Sequence, residues 1–186
     1  MNTAADLRLT NADLEAMPED GNRYEVIDGE LYVSSAPGYI HQKILIKIVA
    51  AFLEYLGRHP IGEILPGVGV IFDDYSGVIP DLVFVTREQI GKTLEGGRFH
   101  AAPEIVIEIL SPGAFNERRD RHVKRSLYAA RGVAEYWIVD PENRSVELHC
   151  RNEAGDLVFV NNIRESDELT SALLSGLRVP VGTLFV

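Results

Sequence analysis

The sequence predicts an α/β fold: a mixed β-sheet core flanked by helices, with an N-terminal β-hairpin and extra C-terminal strands. Three observations carry that expectation. Glu104 to Leu110 is a nearly unbroken apolar run, as in a strand buried on both faces. The helical stretch Asn116 to Ala130 and a second strand, Ala134 to Val139, follow it and complete a βαβ-like unit. Upstream, Ile40, Ile44, Ile48, Ala51, Phe52 and Tyr55 recur every three or four residues, so Tyr39 to Leu56 reads as an amphipathic helix.

The remaining elements follow in order. Asn11 caps a short helix, Ala12 to Met17, which Pro18 ends. Arg23 to Ile27 and Glu30 to Ser35 flank Asp28-Gly29, a two-residue turn signal that makes them a hairpin. Gly57 closes the long helix. Short β-branched runs then mark strands at Gly62 to Leu65, Val68 to Phe72 and Val78 to Val85. Glu88 to Ala102, with three glycines, reads as a loop holding at most one helical turn. Gly132 lies just past the helix Asn116 to Ala130, where a helix terminator belongs. Ser145 to Cys150, Leu157 to Asn161 and Leu177 to Val181 supply the last strands. No repeat or low-complexity linker divides the 186 residues, so one domain over 1–186 is expected.

Composition narrows the function. With 28 acidic against 18 basic residues the net charge is -10, which opposes tight non-specific binding to phosphate backbones. Any nucleic-acid role must therefore be local or metal-assisted. The single cysteine, Cys150, cannot form an intramolecular disulfide, and no Cys/His cluster has zinc spacing. The first 17 residues lack a signal peptide's basic flank and apolar core, and no apolar stretch approaches the ~20 residues of a membrane span. A cytoplasmic protein is the expectation.

The chemistry is signalled by a carboxylate where the chain should be dry. Glu108 sits inside Ile105-Val106-Ile107-Glu108-Ile109-Leu110, and an ionised carboxylate there needs a compensating cation or a shifted pKa. Asp81 follows Pro80 and opens the apolar run Leu82 to Val85. Two acids on neighbouring buried strands would share one pocket, and a hard divalent cation is the usual way to keep both ionised. Asp81, Glu108 and the backbone carbonyl of Ile109 are thus the expected ligands of Mg²⁺ or Mn²⁺. Phosphodiester hydrolysis also needs a positive charge to orient the water or support the transition state. Lys124 is the candidate, on the helix after the Glu108 strand, with Asp120 and Tyr128 at i-4 and i+4.

These residues carry a resemblance. Arg23 to Glu30, His41, Pro80 to Val85, Pro103 to Pro112, the helix with Asp120, Lys124 and Tyr128, and Gly132 to Pro141 occur in an order that resembles the small, stand-alone restriction-endonuclease-like family of the PD-(D/E)XK nuclease superfamily. The resemblance spans roughly residues 10 to 186. It implies a restriction-endonuclease-like core, a Mg²⁺- or Mn²⁺-dependent endonuclease, and DNA as substrate, with a homodimer as a means of cutting both strands. The superfamily's lysine stands two residues after the acid, a position filled here by Leu110, so Lys124 is the match from the following helix. The resemblance also brings in Glu25 from the hairpin and His41 from the first long helix as further site residues. Arg118, Arg119, Arg121 and Arg125 cluster beside Lys124 and are candidates for nucleic-acid contact.

Each residue has a structural alternative. Asp81 caps a turn after Pro80, Glu108 pairs with a core arginine, and Lys124 is an exposed partner of Asp120. Glu25 is solvated or bridges to Arg23, and His41 merely begins its helix. In that case the chain is a catalytically silent binding or scaffold module with a nuclease fold.

Overall fold

The computed structural model describes residues 8–186. Residues 1–7, the start of the stretch read above for a secretion signal, lie outside them. In chain order the elements are α1 (Asn11–Leu14), β1 (Arg23–Ile27), β2 (Glu30–Ser34), α2 (Tyr39–Arg58), β3 (Gly62–Pro66), β4 (Val70–Asp73), β5 (Ser76–Val78), β6 (Leu82–Thr86), α3 (Arg87–Thr93), β7 (Leu94–Glu95), β8 (Arg98–Phe99) and β9 (Ile105–Ile109). A helix follows in three parts: α4 (Ala114–Arg118), a π-helical stretch (Arg119–Lys124) and α5 (Arg125–Arg131). The chain ends with β10 (Glu135–Asp140), β11 (Ser145–Arg151), β12 (Leu157–Arg164), β13 (Glu168–Thr170), β14 (Arg178–Pro180) and α6 (Val181–Leu184).

Where one mixed sheet was expected there are two of six strands, ordered β12-β11-β10-β9-β6-β3 and β2-β1-β5-β4-β8-β7, and a β13-β14 ribbon. In the first, β9 and β10 pair in parallel, as the βαβ reading requires, and the other strands are antiparallel. Side-chain alternation gives this sheet two buried faces. Leu82, Phe84, Ile105, Ile107, Ile109, Trp137 and Val139 pack with α2 and the C-terminal segment. Val83, Val85, Val106, Leu110, Tyr136 and Ile138 pack with α5 and with Ile27, Val70 and Val78 of the second sheet. That double cover is why Glu104 to Leu110 shows no polar alternation.

Several boundaries differ for identifiable reasons. Thr10, not Asn11, caps α1, because Thr10 and Asp13 satisfy each other's backbone N–H while Asn11 reaches across to the carbonyl of Asp73. The helix α2 runs past Gly57 to Arg58, and Ile40, counted among its core positions, is 54% exposed. The strand expected over Val78 to Val85 is broken at 79–81, so Asp81 stands just outside β6. The loop expected over Glu88 to Ala102 holds α3, started by a reciprocal cap between Thr86 and Gln89, and a tiny hairpin. The hairpin turn is as expected: Asp28 and Gly29 have φ of 51° and 86°, and a Cβ on Gly29 would lie 2.5 Å from Cβ of Arg8.

Phe52 is fully buried where α2 meets the sheet, its ring 5.6 Å from that of Trp137 and 6.2 Å from that of Phe84. Phe52→Ala is expected to cost about 3–5 kcal/mol in chemical denaturation. Ile46→Ala, at an exposed position of the same helix, is expected to stay within about 0.5 kcal/mol of the parent.

Candidate active site

Strand parity and register build the site. Glu108 lies between Ile107 and Ile109, which face α2, so its side chain shares the opposite face with Val106 and Leu110. The antiparallel pairing of Leu82 with Ile107 brings Asp81, one residue earlier, opposite Glu108, one residue later. Glu25 arrives from the second sheet, two residues before Ile27 and hence on the strand face that meets the same core. The helix after β9 completes the enclosure with Arg119, Lys124 and Tyr128.

The side chains form one connected network. Lys124 Nζ lies 2.9 Å from Glu108 Oε1 and 3.0 Å from Glu25 Oε1. The Tyr128 hydroxyl donates to Glu108 Oε1 at 2.8 Å. Glu25 Oε1 also accepts the N–H of Ile79 at 2.7 Å. Asp81 Oδ1 takes Arg23 Nη1 at 3.0 Å, while Oδ2 takes the Ile109 N–H and lies against His41 Nε2, both at 2.9 Å. Glu108 Oε2 has only a long 3.4 Å contact from the Asp81 N–H. A cavity of about 30 Å³ opens among these groups, above the ~10–15 Å³ that one water needs. His41 and Arg119 line it too, and His41 Nδ1 and Arg119 Nη1 are buried with no hydrogen-bond partner among the described residues.

Electrostatics separates the two acids. Burial pushes Asp81 up, but the His41 imidazole, the Ile109 N–H and the Lys124 ammonium outweigh it and hold its pKa at about 2. For Glu108 burial dominates: against the pull of Lys124, and aided by Asp81, Asp120 and Glu25, it raises the carboxyl to about 8. The same carboxylates raise Lys124 above its ordinary value despite burial, so its ammonium persists. Glu25, Asp81, Glu108 and Asp120 face Arg23, Arg119 and Lys124, which with a neutral His41 is an excess of one negative charge that a proton on Glu108 or a bound cation would cancel.

The donor set suits a hard cation. Mg²⁺ is commonly held by one or two carboxylates together with waters and substrate phosphate. Glu108 Oε2 and Asp81 present such oxygens, and Ile109 also borders the cavity. Among the described residues no three His, Cys, Asp or Glu side chains are preassembled around one ion position, and both Asp81 oxygens already have partners.

The network thus brings together Asp81, Glu108, Lys124, Glu25, His41 and Ile109, and it corrects several alternatives. Lys124 is 2% exposed and bonded to Glu108 and Glu25, not a surface partner of Asp120. Asp120 turns its carboxylate to Arg119, because the wider π-helical turn alters the i, i+4 stacking assumed for a continuous α-helix. Glu25 is 1% exposed, and it is Arg23 that bridges to Asp81. Of the arginine cluster, Arg121 is tied to Glu147 and Asp140 and Arg119 is buried against Asp120, which leaves Arg118 exposed and Arg125 half-buried. Sequence reasoning missed Arg23 and Tyr128 as site residues. Their signals were present, since Arg23 is two residues from Glu25 on a strand and Tyr128 four from Lys124 on a helix.

Comparison with known proteins agrees with this architecture. The model of the Uma2 family, described as "Putative restriction endonuclease", matches residues 12–182. The chain is also similar in structure to a crystal structure described as a putative nuclease belonging to DUF820 from Anabaena variabilis ATCC 29413. The TM-score is 0.75 at 19% identity, over 95% of this chain and 97% of that one, which shows a shared fold. No curated protein shows a significant match. Among the described residues no helix is long and apolar enough to cross a membrane.

A carboxyl raised to about 8 when folded lends stability that is complete below its ordinary range near 4.5 and is lost as pH rises through about 8. Without divalent cations, stability is therefore expected to fall between pH 5 and 8, by up to about 1.4 kcal/mol per pH unit. In Glu108→Gln that slope is expected to flatten and the melting temperature at pH 8 to exceed the parent's. Calorimetric melting across that range measures both.

Proposed function

The chain belongs to the Uma2 family of putative restriction endonucleases, and on that premise we propose that it hydrolyses phosphodiester bonds in DNA with the help of Mg²⁺ or Mn²⁺. One observation carries the reading: two buried carboxylates, Asp81 just before β6 and Glu108 on the neighbouring β9, share a small cavity with the Lys124 ammonium and, with His41 neutral, an excess of one negative charge. Asp81, Glu108 Oε2 and the Ile109 carbonyl would hold the ion. When bound, it would polarise a phosphoryl oxygen and make a water nucleophilic near neutral pH.

The chain's own residues do the rest. Lys124 spends two of its three N–H donors on Glu108 and Glu25, so the third can orient the attacking water or meet charge on the phosphate. Glu25, anchored by the Ile79 N–H, positions Lys124. Arg119, which lines the cavity, offers its buried, unpartnered Nη1 donor to a phosphate oxygen. His41 and Arg23 each hold one Asp81 oxygen, and one of them would give up its oxygen to a bound ion.

A second reading, the catalytically silent binding module, draws on the partners already held by both Asp81 oxygens. The two readings differ in outcome. The nuclease is expected to cleave DNA in Mn²⁺ or Mg²⁺, with Glu108→Ala and Lys124→Ala each slowing it by roughly 10²–10³-fold. Mn²⁺ is also expected to raise the parent's melting temperature but not that of Glu108→Ala. Cleavage by Glu108→Ala at the parental rate would refute the proposed site. No Mn²⁺ effect on either stability or DNA would establish the silent module.

A further inference from the structure

Beside the catalytic cavity lies a much larger one of about 520 Å³, within the roughly 300–1,000 Å³ typical of small-ligand sites. His41 and Ser111 line both, so the two adjoin. The walls of the larger cavity are of two kinds. One is apolar, formed by Tyr39 and Ile40 from the first turn of α2 and by Leu110, with Tyr39 76% and Ile40 54% exposed. The other is acidic, formed by Glu117, Asp140 and Glu142, and no lysine or arginine lines it. The cationic groups Arg23, Arg119 and Lys124 are all on the smaller cavity, where they face the carboxylates of Glu25, Asp81 and Glu108.

This division of charge sorts the parts of a nucleotide. Among the described residues Glu117, Asp140 and Glu142 share only Arg121, which also bonds Glu147, so the wall keeps a net negative charge that repels a phosphate, whereas on the smaller cavity each carboxylate is matched by a cation. A nucleobase suits the larger cavity: its flat face stacks on an aromatic ring, and exocyclic amino groups donate to carboxylates. An exposed tyrosine and isoleucine at a cavity mouth also cost stability in water, a cost relieved when a base covers them. A paired, stacked base cannot enter such a recess without leaving the helix.

We propose that this cavity takes the nucleobase next to the scissile phosphate, which makes an unpaired DNA strand the preferred substrate and favours cytosine, whose amino group the carboxylates accept, over thymine, which has none. The inference rests on the nuclease reading of the adjoining site. Tyr39 supplies the stacking surface and the Glu117 and Glu142 carboxylates supply the base discrimination.

Fluorescence anisotropy of the full chain, in chelator so that nothing is cut, tests this with four labelled 12-nucleotide probes: oligo-dC, oligo-dT, an abasic strand and the dC·dG duplex. The expected order puts oligo-dC about tenfold or more tighter than the duplex and the abasic strand, with oligo-dT weaker than oligo-dC by several-fold. Tyr39→Ala is expected to lose roughly tenfold on oligo-dC and nothing on the abasic strand, with Tyr39→Phe close to the parent. Glu117→Gln with Glu142→Gln should erase the preference for dC over dT while tightening the abasic strand, since repulsion of phosphate is removed. Circular dichroism checks that these substitutions, at exposed Tyr39 and Glu142 and half-buried Glu117, leave the fold intact. Equal binding of duplex and single strand, equal binding of abasic and oligo-dC, or no effect of Tyr39→Ala overturns the inference, even in a protein that cuts DNA. Base-dependent binding by a protein that never cuts in Mn²⁺ leaves this cavity's assignment standing and overturns the nuclease reading instead.

Discussion

Two carboxylates held side by side on the dry face of a sheet, Asp81 and Glu108, are the constraint on which the surrounding structure depends. Either one unpaired in that setting would carry a desolvation cost of several kcal/mol. The chain meets it from four directions. The hairpin strand sends Arg23 and Glu25, the start of α2 sends His41, β9 contributes a backbone N–H, and the helix between β9 and β10 sends Lys124 and Tyr128. The second sheet thus does more than cover apolar surface; it carries Arg23 and Glu25 to a place the first sheet cannot reach alone.

The balance is deliberately uneven. Asp81 is surrounded by donors and stays ionised, whereas Glu108 shares one ammonium with Glu25 and is left short of positive charge. Inequality of this kind between neighbouring acids marks sites that exchange protons or cations more often than it marks structural ion pairs. Most arginines near the site are neutralised by carboxylates, so in the proposed nuclease the hold on nucleic acid would rest on a few local groups and be salt-sensitive, consistent with a net charge of -10.

Much of this was legible in the sequence. The βαβ unit, the hairpin at Asp28-Gly29 and the amphipathic α2 follow from periodicity and turn chemistry, and Glu108 announced itself as an acid inside an apolar run. What was hidden depends on long-range packing. No local pattern tells that β1, β2, β4, β5, β7 and β8 close into a second sheet, or that this sheet buries Glu25. The π-helical turn at Arg119–Lys124 was equally invisible, because the residues are ordinary helix formers; within it Lys124 reaches Glu25 and Glu108 and the Asp120 carbonyl accepts the Tyr136 hydroxyl. Ile40 misled for a related reason: its spacing fits the core stripe, but it lies on the first turn of α2, where it lines an open cavity instead of the core.

The central claim is that the charge shortage between Asp81 and Glu108 is made good by a divalent cation. Crystals soaked in Mn²⁺ and measured at the manganese absorption edge test it directly. The account expects an anomalous peak between the Asp81 carboxylate and Glu108 Oε2, with Lys124 still on Oε1 and an Asp81 oxygen released by Arg23 or His41. An absence of any peak there at saturating Mn²⁺, with the Arg23 and His41 contacts to Asp81 intact, would contradict it.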